Sequence, residues 1–519
     1  MSKNSMNRRH MLRIGSITAL SGILSPSLAV AHKKRQNSKT LHIDMPASDS
    51  DLCYMNAVDM AALLRTKKIS AREVMTAHLK QISKINPAVN AFVTMVPENE
   101  LMSKALAADE LLAKGNPGGP LHGMPIAVKD LTETKGIKTT FGSPIWKNFI
   151  PAYDALIVER EKAAGAIILG KTNVPELGLG SQTFNPLFGP SFNPYDITKT
   201  CGGSTGGGAV ALACGMTPLA DGSDMGGSLR NPASFCNVVG IRPSPGMVPI
   251  VTSKMAWQDL SVQGPVGRTV SDCAFLLSVQ SGPDNRSPIS IMESPQAFRE
   301  PLQRNFKGVK IAFIKDMGLP WEPEVKEAVD AQRRTFESLG CAVDEDEPDM
   351  TDANECFVNF RHWLVEANYG DLLAEKNDQL NEYTKWHISE GRKLTGTYLS
   401  RLEMKRTALY RRFQKFLEKY EFLILPVSQV LPFDVKTPYP TEINGVKMLT
   451  YLDWMRSAYY ISILGNPALS VPCAFSKSGL PIGMQIVGRH NADLSVLQLG
   501  FEFEQGTNIG KRRPGLVEQ

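Results

Sequence analysis

Apolar residues along this chain switch repeatedly between a helical and a strand period. Val74, His78, Ile82 and Ile85 recur at helical spacing behind Ser70-x-x-Glu73, a capping box, and predict a helix that runs to Pro87. On that stripe His78 reads as a packed helix residue, not a ligand. A second helix is predicted over 98–114, ending at Gly115. From there short apolar runs alternate with helical stretches. Strands are predicted at 126–128, 166–169, 310–314, 341–343, 422–426, 468–471 and 483–487. Helices are predicted at 154–164 and 398–420, and one more carries Val325, Ala328, Val329, Gln332 and Phe336 on one face. The stretch 310–343 is then a βαβ unit, which implies parallel strands with helices packed on the sheet. No repeat or low-complexity linker interrupts the alternation. The pattern predicts one large α/β domain over 55–505, with a helical cover at about 350–420, an arm at 32–54 and a tail at 506–519.

Composition narrows the partners. The net charge is +5, but residues 1–31 carry Lys3, Arg8, Arg9 and Arg13 and no acid, so subtracting 4 from 5 leaves +1 for the rest. That balance gives no reason to expect nucleic acid or an anionic membrane as partner. The same N-terminal stretch reads as an export signal. Arg8-Arg9 with Leu12 and Arg13 is followed by a mild apolar run from Ile14 to Leu24 and by Ala29-Val30-Ala31, a small-x-small cleavage site. The paired arginines resemble a twin-arginine signal and predict a periplasmic or secreted protein. No 18-residue apolar run is present, so no stable membrane anchor is expected. Eight cysteines are widely spaced, without a C-x-x-C pair, which argues against zinc and against a disulfide scaffold. They read as buried small hydrophobes, with one or two bridges left open.

Two motifs match by letter and fail on context. Gly165 to Thr172 fits the phosphate-loop pattern, but a helix precedes it and its four central residues form a buried strand. Gly202-x-Ser204-x-Gly206 fits the nucleophile elbow, but polar, proline-broken residues precede it where an apolar strand is required. His362, His387 and His490 have no evident role as base, and His122 reads as a structural donor.

The remaining chemistry sits in two glycine–serine clusters and one lysine. The clusters are 202–208 and 222–230, with Ser204 and Ser228 24 residues apart, and Lys129 lies 75 residues before Ser204. A serine hydroxyl needs a base, and a buried neutral lysine can serve as one. Met225, Gly226, Gly227 and Ser228 offer successive backbone N–H groups suited to an oxyanion. Asp224 and Arg230 are placed to brace the loop between them.

These residues resemble the amidase signature family. The likeness runs through Gly202-Gly203-Ser204-x-Gly206-Gly207, Asp224-x-Gly226-Gly227-Ser228-Leu229-Arg230 and Pro232-Ala233. It extends to 122–130, 170–176, Gly264-Pro265-x-x-Arg268-Thr269, Gly465-x-Pro467-Ala468 and 479–485. The resemblance implies a central mixed, largely parallel sheet flanked by helices on both faces. It implies a Ser–cisSer–Lys triad in which Ser228 is the nucleophile, Ser204 relays the proton and Lys129 is the base, with no metal or cofactor. Thr205 stands where the family usually has serine and is expected to tune the loop. The expected reaction is hydrolysis of a small-molecule amide, linear or cyclic, and 449–485 is similar to the cyclic-amide hydrolase and aryl acylamidase branch. The tRNA amidotransferase branch fits poorly, because an export signal would remove the chain from tRNA and 385–410 lacks resemblance to the segment carried there. A homodimer, a Ser-His-Asp esterase and a catalytically silent binding protein on the same fold stay open.

Overall fold

The structure, a computed structural model, describes residues 43–518; the predicted export segment 1–31 lies outside the described residues. Helix α1 (Ala71–Val89) carries the full capping box at Ser70 and Glu73. It continues two residues past Pro87, where a proline in the last turn removes only one ladder donor, and Asn90 ends it in the left-handed region at φ 50°. Helix α2 (Glu98–Ala113) ends before Gly115, at φ +78°.

Eleven strands form one sheet: β1 (Phe92–Met95), β2 (Pro125–Lys129), β3 (Ile167–Thr172), β4 (Leu219–Asp224), β5 (Val239–Arg242), β6 (Val262–Gly267), β7 (Lys310–Phe313), β8 (Ala342–Glu345), β9 (Phe422–Pro426), β10 (Ala468–Phe475) and β11 (Pro481–Val487). Their order is β1-β3-β2-β4-β6-β5-β10-β11-β9-β7-β8. The sheet is mixed. Strands β3, β2 and β4 run parallel at one end, and β9, β7 and β8 run parallel at the other. Antiparallel pairs join these two blocks through the middle. The predicted βαβ unit is present as β7 and β8, but its helix is two short ones, Pro323–Asp330 and Arg333–Ser338.

Helices cover both faces of the sheet. Helix α3 (Gly206–Ala213) and helix α4 (Arg230–Phe235) follow the two glycine–serine clusters. Ser234 of α4 packs against Gly483 of β11, which pairs with Pro472. Gly500, on the last helix, packs against Leu469 and Val471 of β10. Side chains alternate along a strand, so these contacts lie on opposite faces. The cover expected at about 350–420 is α5 (Ala353–Glu375), α6 (Glu382–Gly391) and α7 (Gly396–Lys419). Phe357 of α5 stacks on Tyr459 at a centroid distance of 4.2 Å, which fixes the cover to the body.

Two boundaries move. Asp49–Tyr54, assigned above to an arm, is a helix tied to the domain by Tyr54 Oη donating to Ala213 O at 3.1 Å. The end of the chain is docked as well, with Asn237 Nδ2 donating to the carbonyls of Ile509 and Arg512. All eight cysteines are free and buried. Among the described residues no helix is long and apolar enough to cross a membrane.

Candidate active site

Lys129 is the last residue of β2, and Asp224 the last of the neighbouring parallel strand β4, so both reach the same edge of the sheet. Carboxyl ends of parallel strands are where such sheets build sites. Lys129 is fully buried. Its backbone N–H donates to Asp221 Oδ1, one strand away. Its Nζ lies 2.9 Å from Ser204 Oγ, 2.8 Å from Thr205 Oγ1, 2.9 Å from Ser223 Oγ and 3.3 Å from Ser223 O. Burial, opposed by the Asp221 and Asp224 carboxylates, pulls the Lys129 amine down from 10.5 to about 7.

These partners define what the amine can do. The Ser223 carbonyl only accepts. Thr205 Oγ1 has the same carbonyl at 3.4 Å as acceptor for its own proton, leaving the Thr205 oxygen to receive an N–H. A neutral amine has two N–H donors and one lone pair. With the donors on Ser223 O and Thr205 Oγ1, the lone pair is left for a hydroxyl proton from Ser204 or Ser223. Thr205 thus touches the lysine directly, a closer part than loop tuning. Ser223 lies inside the second glycine–serine cluster, but nothing in the spacing marks it as a lysine partner.

Ser204 sits on the loop that enters α3, and the Gly203–Ser204 peptide is cis. The α3 entry needs glycine for closeness: a methyl at Gly207 would collide with the backbone of Asn173 and Ala91. Ser204, Ser223, Met225 and Ser228 all line one cavity of about 350 Å³, where apolar side chains such as Leu177, Leu179, Ile250 and Leu364 alternate with polar ones such as Gln258, Gln263 and Asn368. No histidine hydrogen-bonds either Ser204 or Ser228 among the described residues. His122 instead accepts from Gly118 N and contacts Ala108 O, and His78 contacts Val74 O.

The loop carrying Ser228 is pinned by a buried charge cluster. Asp224 takes Arg230 Nε at 3.0 Å and Nη2 at 3.1 Å, and Arg242 Nη1 at 3.2 Å. Burial alone would raise the Asp224 pKa; the two guanidiniums outweigh it and hold the carboxyl well below the usual range. Asp224 also accepts the N–H of Gly227 at 2.8 Å and of Leu229 at 3.2 Å. That corrects the four-donor reading: the Gly227 N–H is turned inward to the carboxylate. Met225, Gly226 and Ser228 keep backbone N–H groups with no acceptor among the described residues. Gly227, at φ +118°, supplies the turn between them.

The phosphate-loop look-alike is β3, buried throughout. Its Lys171 is inside the fold, bonded to Thr132 O and, at 3.0 Å, to Thr134 Oγ1.

The family described as Amidase matches residues 73–497, most of the chain. The chain belongs to the amidase family. This amidase is 33% identical over 471 residues to an acylamidase of Rhodococcus erythropolis, covering 90% of this chain and 98% of that protein. It is 34% identical over 493 residues to a glutamyl-tRNA(Gln) amidotransferase subunit of Alkaliphilus metalliredigens, covering 89% and 98%. Its fold matches a bacterial aryl acylamidase of the amidase signature family with a TM-score of 0.82 at 27% identity, covering 89% and 99%. This amidase is an amidohydrolase that acts on carbon–nitrogen amide bonds. Identity to the acylamidase and to the amidotransferase is nearly equal, so overall similarity does not choose the substrate.

Proposed function

We propose that this amidase cleaves acylamides through an acyl-enzyme on Ser228. The neutral Lys129 amine takes the Ser204 proton as Ser204 takes the proton of Ser228. The Ser228 oxygen attacks the amide carbonyl, and the N–H groups of Met225, Gly226 and Ser228 receive the oxyanion. Ser204 then gives its proton to the leaving nitrogen, drawing one back from Lys129. Water releases the acid by the same relay, with the Ser228 proton restored. The observation that carries this reading is the buried Lys129 amine, held 2.9 Å from Ser204 Oγ with its pKa near 7. The likeness to acylamidases supports a small linear acylamide as substrate. Labelling of the purified protein by a fluorophosphonate, read by peptide mass spectrometry, tests it. Modification at Ser228 that vanishes in Ser228→Ala supports the reading, and a folded protein that stays unmodified refutes it.

We also propose that the protein is exported, on the strength of Arg8-Arg9 and Ala29-Val30-Ala31. A mature N-terminus at His32 supports export; an intact leader on cytoplasmic protein refutes it.

A further inference from the structure

The helical cover delivers one unneutralised charge to the active-site cavity. Arg361 of α5 is 5% exposed and lines the same cavity as Ser204 and Ser228. Its Nη1 donates to Met225 Sδ at 3.1 Å, its Nη2 to Tyr451 Oη at 3.1 Å and its Nε to His387 Nε2 at 3.2 Å. Every one of these partners is uncharged. His387 Nε2 also accepts the Tyr451 hydroxyl at 2.6 Å, so the ring proton sits on Nδ1, facing His362 Nδ1 at 2.9 Å. Burial, and then the charge of Arg361, lowers both imidazoles, His362 to about 4 and His387 well below its ordinary value. Neither histidine adds charge to the cluster at neutral pH.

No carboxylate forms an ion pair with Arg361 among the described residues. The contrast is with Arg230 and Arg242, buried in the same fold and both paired with Asp224. Among the described residues Glu133 is the one carboxylate on the cavity lining, and it makes no ion pair with Arg361. A guanidinium keeps its proton when buried, and a buried charge without a counter-charge is strongly disfavoured. Three of its five N–H groups are used, one on each nitrogen. The two left are one on Nη1 and one on Nη2, free to donate to the oxygens of a carboxylate.

Resting on the amidase reading, we infer that Arg361 receives a carboxylate carried by the substrate, so that the preferred substrates are amides bearing a carboxylate group. Arg361 is then a specificity residue. Met225 links it to the catalytic loop, since the thioether that takes Nη1 belongs to a residue whose N–H faces the oxyanion. Leu177, Leu179 and Leu364 on the same lining can take the hydrocarbon part of the molecule.

Matched pairs test this on the full protein. In one arm the carboxylate is on the acyl chain: glutaric acid mono-p-nitroanilide against pentanoyl p-nitroanilide. In the other it is on the amine: 4-acetamidobenzoate against 4-methylacetanilide. In at least one arm the carboxylate partner is favoured in kcat/KM by about 10- to 100-fold, mostly through KM, the range expected for charge-assisted hydrogen bonds. Arg361→Gln brings that ratio to one or below, and Arg361→Lys restores part of it. Equal or better turnover of the neutral partner in both arms, or a ratio that survives Arg361→Gln, overturns the inference. Should Arg361→Gln not fold, the wild-type ratios and protection of Ser228 from fluorophosphonate by glutarate over pentanamide decide. Labelling of Ser228 and turnover of neutral anilides without carboxylate preference defeats this inference alone. Loss of both labelling and all hydrolysis defeats the amidase reading and this inference with it.

Discussion

The pH dependence of turnover examines the lysine most directly. With Lys129 near pH 7, its neutral fraction is about 9% at pH 6 and about 91% at pH 8, a rise of roughly tenfold, followed by a plateau. An amine left at its ordinary 10.5 would keep the rate climbing past pH 9. The assay is kcat/KM for an anilide between pH 5.5 and 9.5, with a leaving group slow enough that chemistry limits the rate. Asp221→Asn keeps an acceptor for the Lys129 N–H but removes a charge that raises the lysine, so the rising limb moves to lower pH. Stability carries the same signature. Here the folded pKa lies below the unfolded one, so between pH 7 and 10.5 the unfolded chain holds the extra proton. Stability therefore rises with pH through that window, by about 1.4 kcal/mol per unit and ~5 kcal/mol in all, and the penalty is fully present below pH 7. Urea denaturation of the wild type at pH 7 and pH 9 should differ by roughly 2 kcal/mol more than in Lys129→Met, because half of the folded amines already carry the proton at pH 7. Lys129→Met also loses about 10²- to 10⁴-fold in activity. A flat rate profile from pH 6 to 9, or an identical stability slope in Lys129→Met, refutes the neutral-lysine argument.

Two further outcomes follow from the contacts around that amine. Thr205→Val removes the acceptor that orients one Lys129 N–H while keeping the shape, so kcat falls by about tenfold with KM little changed, read by steady-state kinetics. Asp224→Asn leaves Arg230 and Arg242 buried without their counter-charge and lowers stability by about 3–5 kcal/mol, read by urea denaturation.

Local signals were the most legible in the sequence. The Ser70–Glu73 box, Gly115 and the apolar run 422–426 each act within a few residues, and each element formed where its own residues put it. Apart from the parallel pair in the 310–343 βαβ unit, strand pairing did not show, because an apolar run carries no record of its neighbour. The antiparallel middle of the sheet is built from pairs such as Val262 with Asp224, far apart in sequence. The helix expected from Val325 to Phe336 keeps its buried face at Val325, Val329 and Phe336 but breaks between Asp330 and Arg333. At the site, Lys129, Ser204 and Ser228 were legible because glycine clusters mark unusual loops. Ser223 was not, since a serine at a strand end looks like any other. Arg361, His387 and Tyr451 were invisible as a group: they come from three separate elements and meet only when the cover closes. The fate of the Gly227 N–H was equally hidden, because it depends on which way one peptide faces.

Lys129, Ser223 and Asp224 ride on two adjoining strands, whereas the residues that shape the cavity opposite them come from α5 and nearby loops. Bond making and substrate choice are therefore mounted on two frames that meet at the Arg361–Met225 contact. Redesign can vary positions 364 and 365 while leaving the strand-borne machinery untouched, whereas a change at 361 is felt at Met225 in the catalytic loop.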